Sequence, residues 1–326
     1  MSTQSTRGLI NPARPTRRPR PARPARKRSP LDDTTTRTLV SGATLKRRRG
    51  RLLYWIVATL VIVGFTLIFL GPLYFLFTDG LKSTHESVQV PPTLYPHAIH
   101  PGTYADAWTV GGVGRLLVNT LYYAFGALAF QLVFDVAAAY ALSKLRPVFG
   151  NALFGLMLST LMIPATVLVV PQYITVSDLP ILHMNLVGTP EAIWLPAVAN
   201  GFSIFLLKRF FDSIPGDLMA AAAIDGAGRM RTLWSVVLPM SRPILGVVSI
   251  FAVTAVWKDY LWPLLVEGGY SPTRETLNVG ITQAASTSPQ NVVIAAAAIA
   301  AIPPLIFFLI FQRNIMSGLT AGSLKG

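Results

Sequence analysis

The chain has 326 residues, of which 52% are hydrophobic and 13% are charged, and its mean hydropathy is +0.50. Soluble domains carry about 25% charged residues, so this composition indicates a membrane protein. The net charge of +14 is typical of nucleic-acid-binding proteins, but fifteen of the 28 Lys and Arg precede Leu52, and the remainder of the chain is close to neutral. The absence of cysteine excludes disulfides and thiolate metal sites.

Residues 1–51 form a basic segment that contains RPTRRPRPARPARKRSP and LKRRRGR. Arg and Pro dominate it and apolar clusters are absent, which predicts a disordered tail. The segment is too long for a signal peptide, and so is the apolar run that follows it. We interpret it as a cytoplasmic tail that sets membrane orientation and contacts anionic lipid. Regulatory or nucleic-acid binding is the alternative.

Six apolar stretches within residues 52–326 are each long enough to cross a membrane, which takes about 20 mostly apolar residues. They predict an all-α polytopic membrane protein with six transmembrane helices. Pro164 and Pro171 in the third stretch, and Pro303 and Pro304 in the sixth, are expected to kink or locally open those helices. The stretches are Leu52–Phe77, Leu116–Leu142, Ala152–Tyr173, Ala192–Phe211, Ile244–Val266 and Val292–Phe311.

The charges of the loops predict the orientation, because cytoplasmic loops are enriched in Lys and Arg. With the N-terminus inside, the outer loops carry only Lys82, Arg115 and Arg274. Both termini are therefore predicted to be cytoplasmic, as is the loop at about 212–242. The inner cations beyond the tail are Lys144, Arg146, Lys208, Arg209, Arg229, Arg231, Arg242, Arg313 and Lys325.

Motifs for chemistry are absent from the sequence. There is no G-x-x-x-x-G-K-[ST] phosphate loop, so the chain is not expected to bind ATP itself, and there is no H-E-x-x-H or G-x-S-x-G motif. His97 and His100 lie three residues apart, but the prolines of YPHAIHPGTY disfavour a helix there, and loop histidines are the better interpretation than a metal site. The chain is thus expected to have no enzymatic activity and to bind no cofactor or metal.

The loop AAAAIDGAGRMRTLWSVVLP, over 220–239, predicts two short helices. The first runs from Asp217, an acidic residue suited to the positive end of the helix dipole, to Ile224, and ends at Asp225 and Gly226. The second is amphipathic and precedes Pro239. A small, smooth first helix suits close contact with another protein. An ordinary amphipathic loop helix is the alternative.

Four stretches carry a resemblance to one family. IPGDLMAAAAIDGAGRMRTLWSVVLPMSRP resembles the E-A-A-x-x-x-G-x9-I-x-L-P signature of ABC importer permeases. MIPATVLVVPQY resembles the third-span motif of the carbohydrate-uptake group, and WKDYLWPLL resembles its W-N-D-F-L-W-P-L-L motif. The closing FQRNIMSGLTAGSLKG resembles its F-Q-R-x-x-x-x-G-L-T-x-G-x-x-K-G motif. Together they identify residues 52–326 with inner-membrane permeases of the maltose-transporter type, in their six-span form.

The resemblance implies that the loop is a coupling helix, which sits in a cleft of a separate ATPase that uses ATP. It implies a second permease, two ATPase subunits, an extracytoplasmic solute-binding protein and a sugar substrate as partners, and no nucleic acid. A permease for a non-sugar solute and a secondary transporter are the alternatives. Ala220 stands where the family has an acidic residue, which removes one charge-assisted contact. The predicted coupling residues are Asp217, Ala220, Ala221, Ala222, Asp225, Gly226, Leu238 and Pro239.

A sugar site requires aromatic faces and hydrogen-bonding groups around a polar cavity. Lys258 and Asp259 would be costly in hydrocarbon, so they favour a cavity, a subunit interface or the water boundary. An interfacial aromatic belt is the alternative. Asp135 and Gln131, one turn apart, are expected to have structural partners rather than to contact solute. The candidate solute-pathway residues are Tyr173, Asn200, Trp257, Asp259, Tyr260 and Trp262.

Overall fold

The computed structural model describes residues 48–269 and 273–321, with side chains to residue 312. The predicted basic tail lies almost wholly outside the described residues, and so does the end of the closing motif. Within the described residues there is no β-strand, and the expected all-α architecture is confirmed. The helices are α1 (Arg48–Asp79), α2 (Thr84–Ser87), α3 (Gly102–Thr109), α4 (Val113–Tyr140), α5 (Gly150–Thr160), α6 (Ala165–Ser177), α7 (Glu191–Ala197), α8 (Gly201–Ser213), α9 (Gly216–Ile224), α10 (Arg229–Met240), α11 (Arg242–Lys258), α12 (Leu261–Val266), α13 (Leu277–Ala284) and α14 (Gln290–Ala321).

Three helical segments of the described chain are long and apolar enough to cross a membrane on their own: Arg48–Asp79, Val113–Leu145 and Gln290–Gln312. The second of these is α4 with a π-helical turn, Ala141–Leu145, at its end. The pairs α5 with α6 and α10 with α11 also meet the length and composition test, but they are bent by 106° and 81°. The structure therefore supports three to five membrane-crossing segments.

Three of the predicted spans are broken, the third at residues 161–164 and the fourth and fifth beside a proline. Ala192–Phe211 is divided between α7 and α8, with Pro196 in the last turn of α7. Ile244–Val266 is divided at Asp259 and Tyr260, just before Pro263 in α12. Proline lacks the N–H that continues a helix and disfavours helical backbone in the residue before it.

The other prolines gave mixed outcomes. The helix break at residues 161–164, which precedes α6, agrees with the prediction for Pro164. Pro171 lies inside the continuous helix α6, and Pro303 and Pro304 lie inside α14, so none of these three opens its helix. The free carbonyl of Ala300, four residues before Pro304, has another partner: the Trp257 indole N–H donates to it at 3.3 Å.

Three buried apolar clusters hold the elements around α4, which is the central helix of the fold. One joins α4 to α8, α10 and α11 through Leu207, Phe211, Val237 and Val248. A second joins it to α3, α11, α13 and α14, and a third to α6, α7 and α12. Gly126 allows α7 to approach, because a Cβ at this position would lie 2.3 Å from the Trp194 ring. These contacts place the functional segments at fixed positions along one helix.

Candidate functional site

The predicted coupling loop forms α9 and α10, and we call residues 212–242 the α9–α10 segment. Helix α9 ends as expected, since Asp225 is its C-cap and Gly226 has a φ of +74°. The Ala227 N–H donates to the Ala222 carbonyl at 2.8 Å and the Gly226 N–H donates to Ala223 at 3.1 Å, which is a Schellman motif. Open space surrounds the α-carbon of Gly226, so the need for glycine comes from the backbone conformation.

Helix α9 presents a small exposed face. Asp217, Ala220, Ala221 and Ile224 are all exposed and recur at helical spacing, with Ile224 at 87%. Ala222 is instead 8% exposed and is not part of this face. Ile224 is absent from the coupling residues predicted from the sequence, although its spacing from Asp217 and Ala220 could have identified it.

Helix α10 has one buried and one exposed face. Leu233 and Val237 are buried in the cluster around α4 and α8, Leu238 packs partly against that cluster, and Pro239 is exposed. A π-helical turn over Leu233–Val237 directly precedes the last turn with its proline. Trp234 is 67% exposed, so it does not pack against the described part of the bundle.

Polar contacts fix the start of the α9–α10 segment and the start of α10 to the end of α4. The Tyr140 hydroxyl donates to the Arg229 carbonyl at 2.9 Å, and the Lys144 ammonium donates to the Ile214 carbonyl at 3.2 Å. The Ser143 hydroxyl donates to the Asp212 carboxylate at 2.7 Å, and Lys208 forms an ion pair with the same carboxylate at 2.8 Å. A force applied to α9 or α10 would therefore reach α4 directly.

A cavity of about 510 Å³ lies between α4, α6, α7, α11 and α12. Among the predicted pathway residues, Asn200, Asp259 and Trp262 line it. Gln131 lines it as well. Sequence reasoning missed two further polar groups, Gln172 and Thr166, although Gln172 is conspicuous as a polar residue in the apolar run of α6. The wall thus offers carboxylate, amide and hydroxyl groups beside an aromatic ring.

Asp135 and Gln131 form the buried support of this cavity. Asp135 is fully buried, and its carboxylate accepts the Asn200 backbone N–H at 3.0 Å and the Gln131 amide at 3.1 Å. The Gln131 amide also donates to the Ser203 hydroxyl at 3.1 Å, and the Asn200 side chain caps α8 by accepting the Ser203 N–H at 3.0 Å. The expected structural partners of Asp135 therefore exist, and they hold the α7–α8 break.

The indole N–H groups of two predicted pathway residues donate to backbone carbonyls that would otherwise lack a partner, because a proline follows four residues later. The Trp262 indole donates at 3.0 Å to the Ala192 carbonyl, which lies four residues before Pro196. The Trp257 indole makes the equivalent contact in α14. Both side chains are buried, so their indole N–H groups are occupied within the chain.

The remaining candidates lie elsewhere. Tyr173 is partly buried against the cluster that joins α6, α7 and α12, and it does not line the 510 Å³ cavity. Tyr260 lines a second concavity of about 540 Å³, together with Trp257 and Lys258. The predicted pathway residues other than Tyr173 are thus divided between two cavities on either side of the α11–α12 break.

A polar cluster organises the segment between α1 and α3. Lys82, which is 1% exposed, pairs with Asp79 and donates to the Thr93 carbonyl at 2.6 Å. The Glu86 carboxylate accepts the Thr93 hydroxyl at 2.9 Å and lies 2.7 Å from His97 Nδ1. Burial acts to raise the pKa of Glu86, but the hydrogen bonds from Thr93 and His97 outweigh it and lower that pKa. The segment nonetheless exposes large apolar side chains, namely Val88, Val90, Leu94, Tyr95 and Ile99.

The family model described as "Binding-protein-dependent transport system inner membrane component" matches residues 131–320. The sn-glycerol-3-phosphate transport system permease protein UgpE of Yersinia pestis is 31% identical over 285 residues, covering 84% of this chain and 98% of that protein. The sulfoquinovosyl glycerol transport system permease protein SmoH of Agrobacterium fabrum is 31% identical over 281 residues, covering 85% of this chain and 95% of that protein.

A solved structure has the same fold. It is the crystal structure of a bacterial ABC transporter involved in the import of the acidic polysaccharide alginate, with a TM-score of 0.71 and 24% identity, covering 82% of this chain and 98% of that chain. The chain belongs to the binding-protein-dependent transport family and is the permease subunit of an ABC importer in the inner membrane. This agrees with the resemblance carried by its motifs.

Proposed function

We propose that this permease forms half of the pathway for a sugar or a related polyol derivative, and that the 510 Å³ cavity is part of that pathway. The observation that carries the proposal is the grouping of Gln172, Asn200 and Asp259 with the Trp262 side chain around one cavity. Hydroxyl-rich solutes bind through such amide, carboxylate and aromatic groups. The relatives named for sn-glycerol-3-phosphate and sulfoquinovosyl glycerol support a solute of this class.

The α9–α10 segment is the proposed coupling element, and the exposed face of α9 docks into a cleft of an ATPase subunit. Alanine side chains let the two backbones come close, and Ile224 supplies apolar contact. ATP binds to and is hydrolysed by two such subunits, and this chain performs no chemistry. Their closure moves the segment, and the contacts of Tyr140 and Lys144 pass the movement to α4.

The proposed topology has six spans with both termini in the cytoplasm, and the basic segment 1–51 remains on that side as a tail. Helices α7 and α8 together form the fourth span, and α11 and α12 form the fifth. The chain has no native cysteine, which permits a direct test. A cysteine at the exposed Asn185 should react with an impermeant thiol reagent from outside, and one at the exposed Ser235 should not. The opposite pattern would overturn this topology.

The proposed partners are a second permease, two ATPase subunits and an extracytoplasmic solute-binding protein. The family description supports the last of these. The apolar side chains between α1 and α3, including Val90 and Leu94, are the surface we assign to the binding protein. The buried contacts of Lys82 and Glu86 hold this segment in one conformation, which lowers the entropic cost of docking.

The deciding experiment combines ATPase co-purification with solute uptake in vesicles. Ala221→Arg places bulk and charge on the exposed face of α9, and Gly226→Trp forces a large side chain into a left-handed conformation. Both should abolish assembly or uptake. Ala285→Arg is the matched control, since Ala285 is an exposed alanine outside the α9–α10 segment. Wild-type assembly and uptake in both variants would refute the coupling proposal. ATP-independent uptake driven by an ion gradient would favour a secondary transporter.

A further inference from the structure

Lys258 and Asp259 are adjacent in sequence but line different cavities. Asp259 lines the 510 Å³ cavity, where its carboxylate accepts the Trp262 N–H at 3.4 Å. Lys258 is the last residue of α11 and lines the 540 Å³ concavity, which we call the second cavity. The α11–α12 break therefore separates a carboxylate on one side from an ammonium on the other.

The Lys258 ammonium has no hydrogen bond or ion pair with any described residue, and neither has the Tyr260 hydroxyl. A cation in a membrane-crossing segment usually pairs with a counter-charge or faces a functional cavity, because an isolated charge is expensive there. The adjacent Asp259 carboxylate attracts Lys258 electrostatically without forming an ion pair with it, and the carbonyls at the C-terminal end of α11 also favour a positive charge at this position. Lys258 and Tyr260 are both exposed, so the second cavity presents donors that are open to a ligand.

The other polar residues in this wall are already engaged. The Asn278 amide donates to the Trp257 carbonyl at 2.9 Å and to the Asp259 carbonyl at 3.4 Å, which satisfies backbone groups freed at the break. The Thr282 hydroxyl donates to the Asn278 carbonyl at 2.8 Å. Lys258 and Tyr260 are therefore the groups in this wall with donors to offer to a ligand.

Both residues depart from the motif that this stretch resembles. The motif is W-N-D-F-L-W-P-L-L, whereas this chain has WKDYLWPLL, with Lys258 in place of Asn and Tyr260 in place of Phe. The two departures add a cation and a hydroxyl to the same cavity. An ammonium and a phenol donate together to an oxyanion, and charge-assisted hydrogen bonds of this kind are short and strong.

We propose that the second cavity binds an oxyanion group, a phosphate, sulfonate or carboxylate, through Lys258 and Tyr260. Trp257 and the α14 residues Ala297, Ala300 and Ala301 provide an apolar wall for the remainder of the ligand. The group belongs to a polyol solute or to the headgroup of an anionic lipid. That it belongs to the solute rests on the proposed import function. Binding of an oxyanion in the second cavity does not depend on the proposed import function.

Protection of Lys258 from acylation tests the oxyanion site without requiring transport. The complete transporter is placed in nanodiscs of phosphatidylcholine and treated with a water-soluble amine-reactive ester, and labelling of Lys258 is followed by mass spectrometry. sn-Glycerol 3-phosphate should slow this labelling and glycerol should not. Lys208, which is paired with Asp212, serves as the internal reference. Tyr260→Phe should raise the concentration for half-protection about tenfold, because it removes a hydrogen bond to a charged acceptor.

A further arm adds phosphatidylglycerol to the nanodisc. Protection by this lipid without protection by sn-glycerol 3-phosphate would assign the oxyanion to a headgroup, and the reverse would assign it to the solute. Equal labelling under all conditions, or equal protection by glycerol, would overturn the proposal. Lys258 that is unreactive in every condition would also overturn it, because the ammonium would then be paired within the assembled complex.

Uptake measurements separate this inference from the proposed function. In vesicles that hold the complete transporter and its binding protein, Lys258→Asn should lower uptake of an anionic solute about tenfold, and Lys258→Arg should retain it. Normal uptake by the Asn variant would refute a solute role for Lys258 but leave the import function intact. No ATP-dependent uptake by the wild type would refute the import function, while the protection measurement would still decide on the oxyanion site.

Discussion

The α9–α10 segment and the α11–α12 break both interrupt the helices, the first at Gly226 and the second before Pro263, and the interrupted backbone finds different partners in the two regions. In the α9–α10 segment, Gly226 closes α9 with its own backbone hydrogen bonds, and the small face of the helix remains exposed. At the α11–α12 break, the freed carbonyls accept hydrogen bonds from Asn278, a residue of α13. The first region is fixed to α4 at its start and at the start of α10, and the second is hydrogen-bonded to neighbouring helices.

This difference indicates how substitutions in the two regions should act. A change on the exposed face of α9 removes no contact within the chain, so it should impair partner binding and spare stability. A change among the residues that are hydrogen-bonded between helices leaves a buried polar group without a partner, so its main effect should be a loss of stability.

Asp135→Leu should have the largest effect on stability, because it removes the acceptor of two buried donors. The Asn200 N–H and the Gln131 amide would both lose a charge-assisted hydrogen bond, for a cost of about 3 kcal/mol or more in free energy of unfolding. A large fall in the thermal unfolding midpoint of the purified chain in detergent would be the sign. The unfolding midpoint of Asp135→Asn should fall much less, because asparagine keeps an acceptor oxygen. Equal unfolding midpoints for Asp135→Leu and the wild type would show that the α7–α8 break does not depend on this carboxylate.

Trp262→Phe should have an intermediate effect on stability, and substitution of Pro196 provides the control. Phe keeps the aromatic ring but leaves the Ala192 carbonyl without its donor, at a cost of about 1–3 kcal/mol. In a Pro196→Ala background the restored backbone N–H can bond that carbonyl, so the same substitution should cost less. The four unfolding midpoints form a double-mutant cycle. Additive effects would contradict the pairing of the indole with the proline-freed carbonyl.

Trp234→Ala should have the smallest effect, within about 0.5 kcal/mol, because its side chain is largely exposed. Leu233→Ala is the matched control from the same helix. Leu233 is buried, and its truncation should cost about 2 kcal/mol or more. Unfolding midpoints of the two variants would compare them directly, and a larger loss for Trp234→Ala would reverse the assignment of buried and exposed faces on α10.

The α9–α10 segment was largely predictable from sequence, because its structure depends on local chemistry. An acidic first turn, four alanines and a glycine after Asp225 determine the bounds of α9 within the segment itself. Which of the four alanines is buried was not predictable, since the burial of Ala222 depends on contacts outside α9.

The region of the α11–α12 break was harder to predict. Trp257 and Trp262 were selected for their aromatic faces, but their indoles bond carbonyls at Ala300 and Ala192, in helices distant in sequence. Only the tertiary arrangement reveals such pairs. The same holds for the separation of Lys258 from Asp259 into two cavities. Apolar length alone likewise predicted continuous spans where α7 and α8 are separate helices.

Photo-crosslinking from α9 tests the central claim most directly, namely that this face contacts the ATPase. Ala221→Cys and Ile224→Cys are labelled with a benzophenone maleimide, which is selective because the chain has no native cysteine. Illumination of membranes with the co-expressed ATPase and ATP-dependent uptake should join both positions to the ATPase. Ala285→Cys, an exposed position outside the α9–α10 segment, should give no such product. An uptake-competent complex without crosslinks from Ala221 and Ile224, or with crosslinks only from Ala285, would contradict the account.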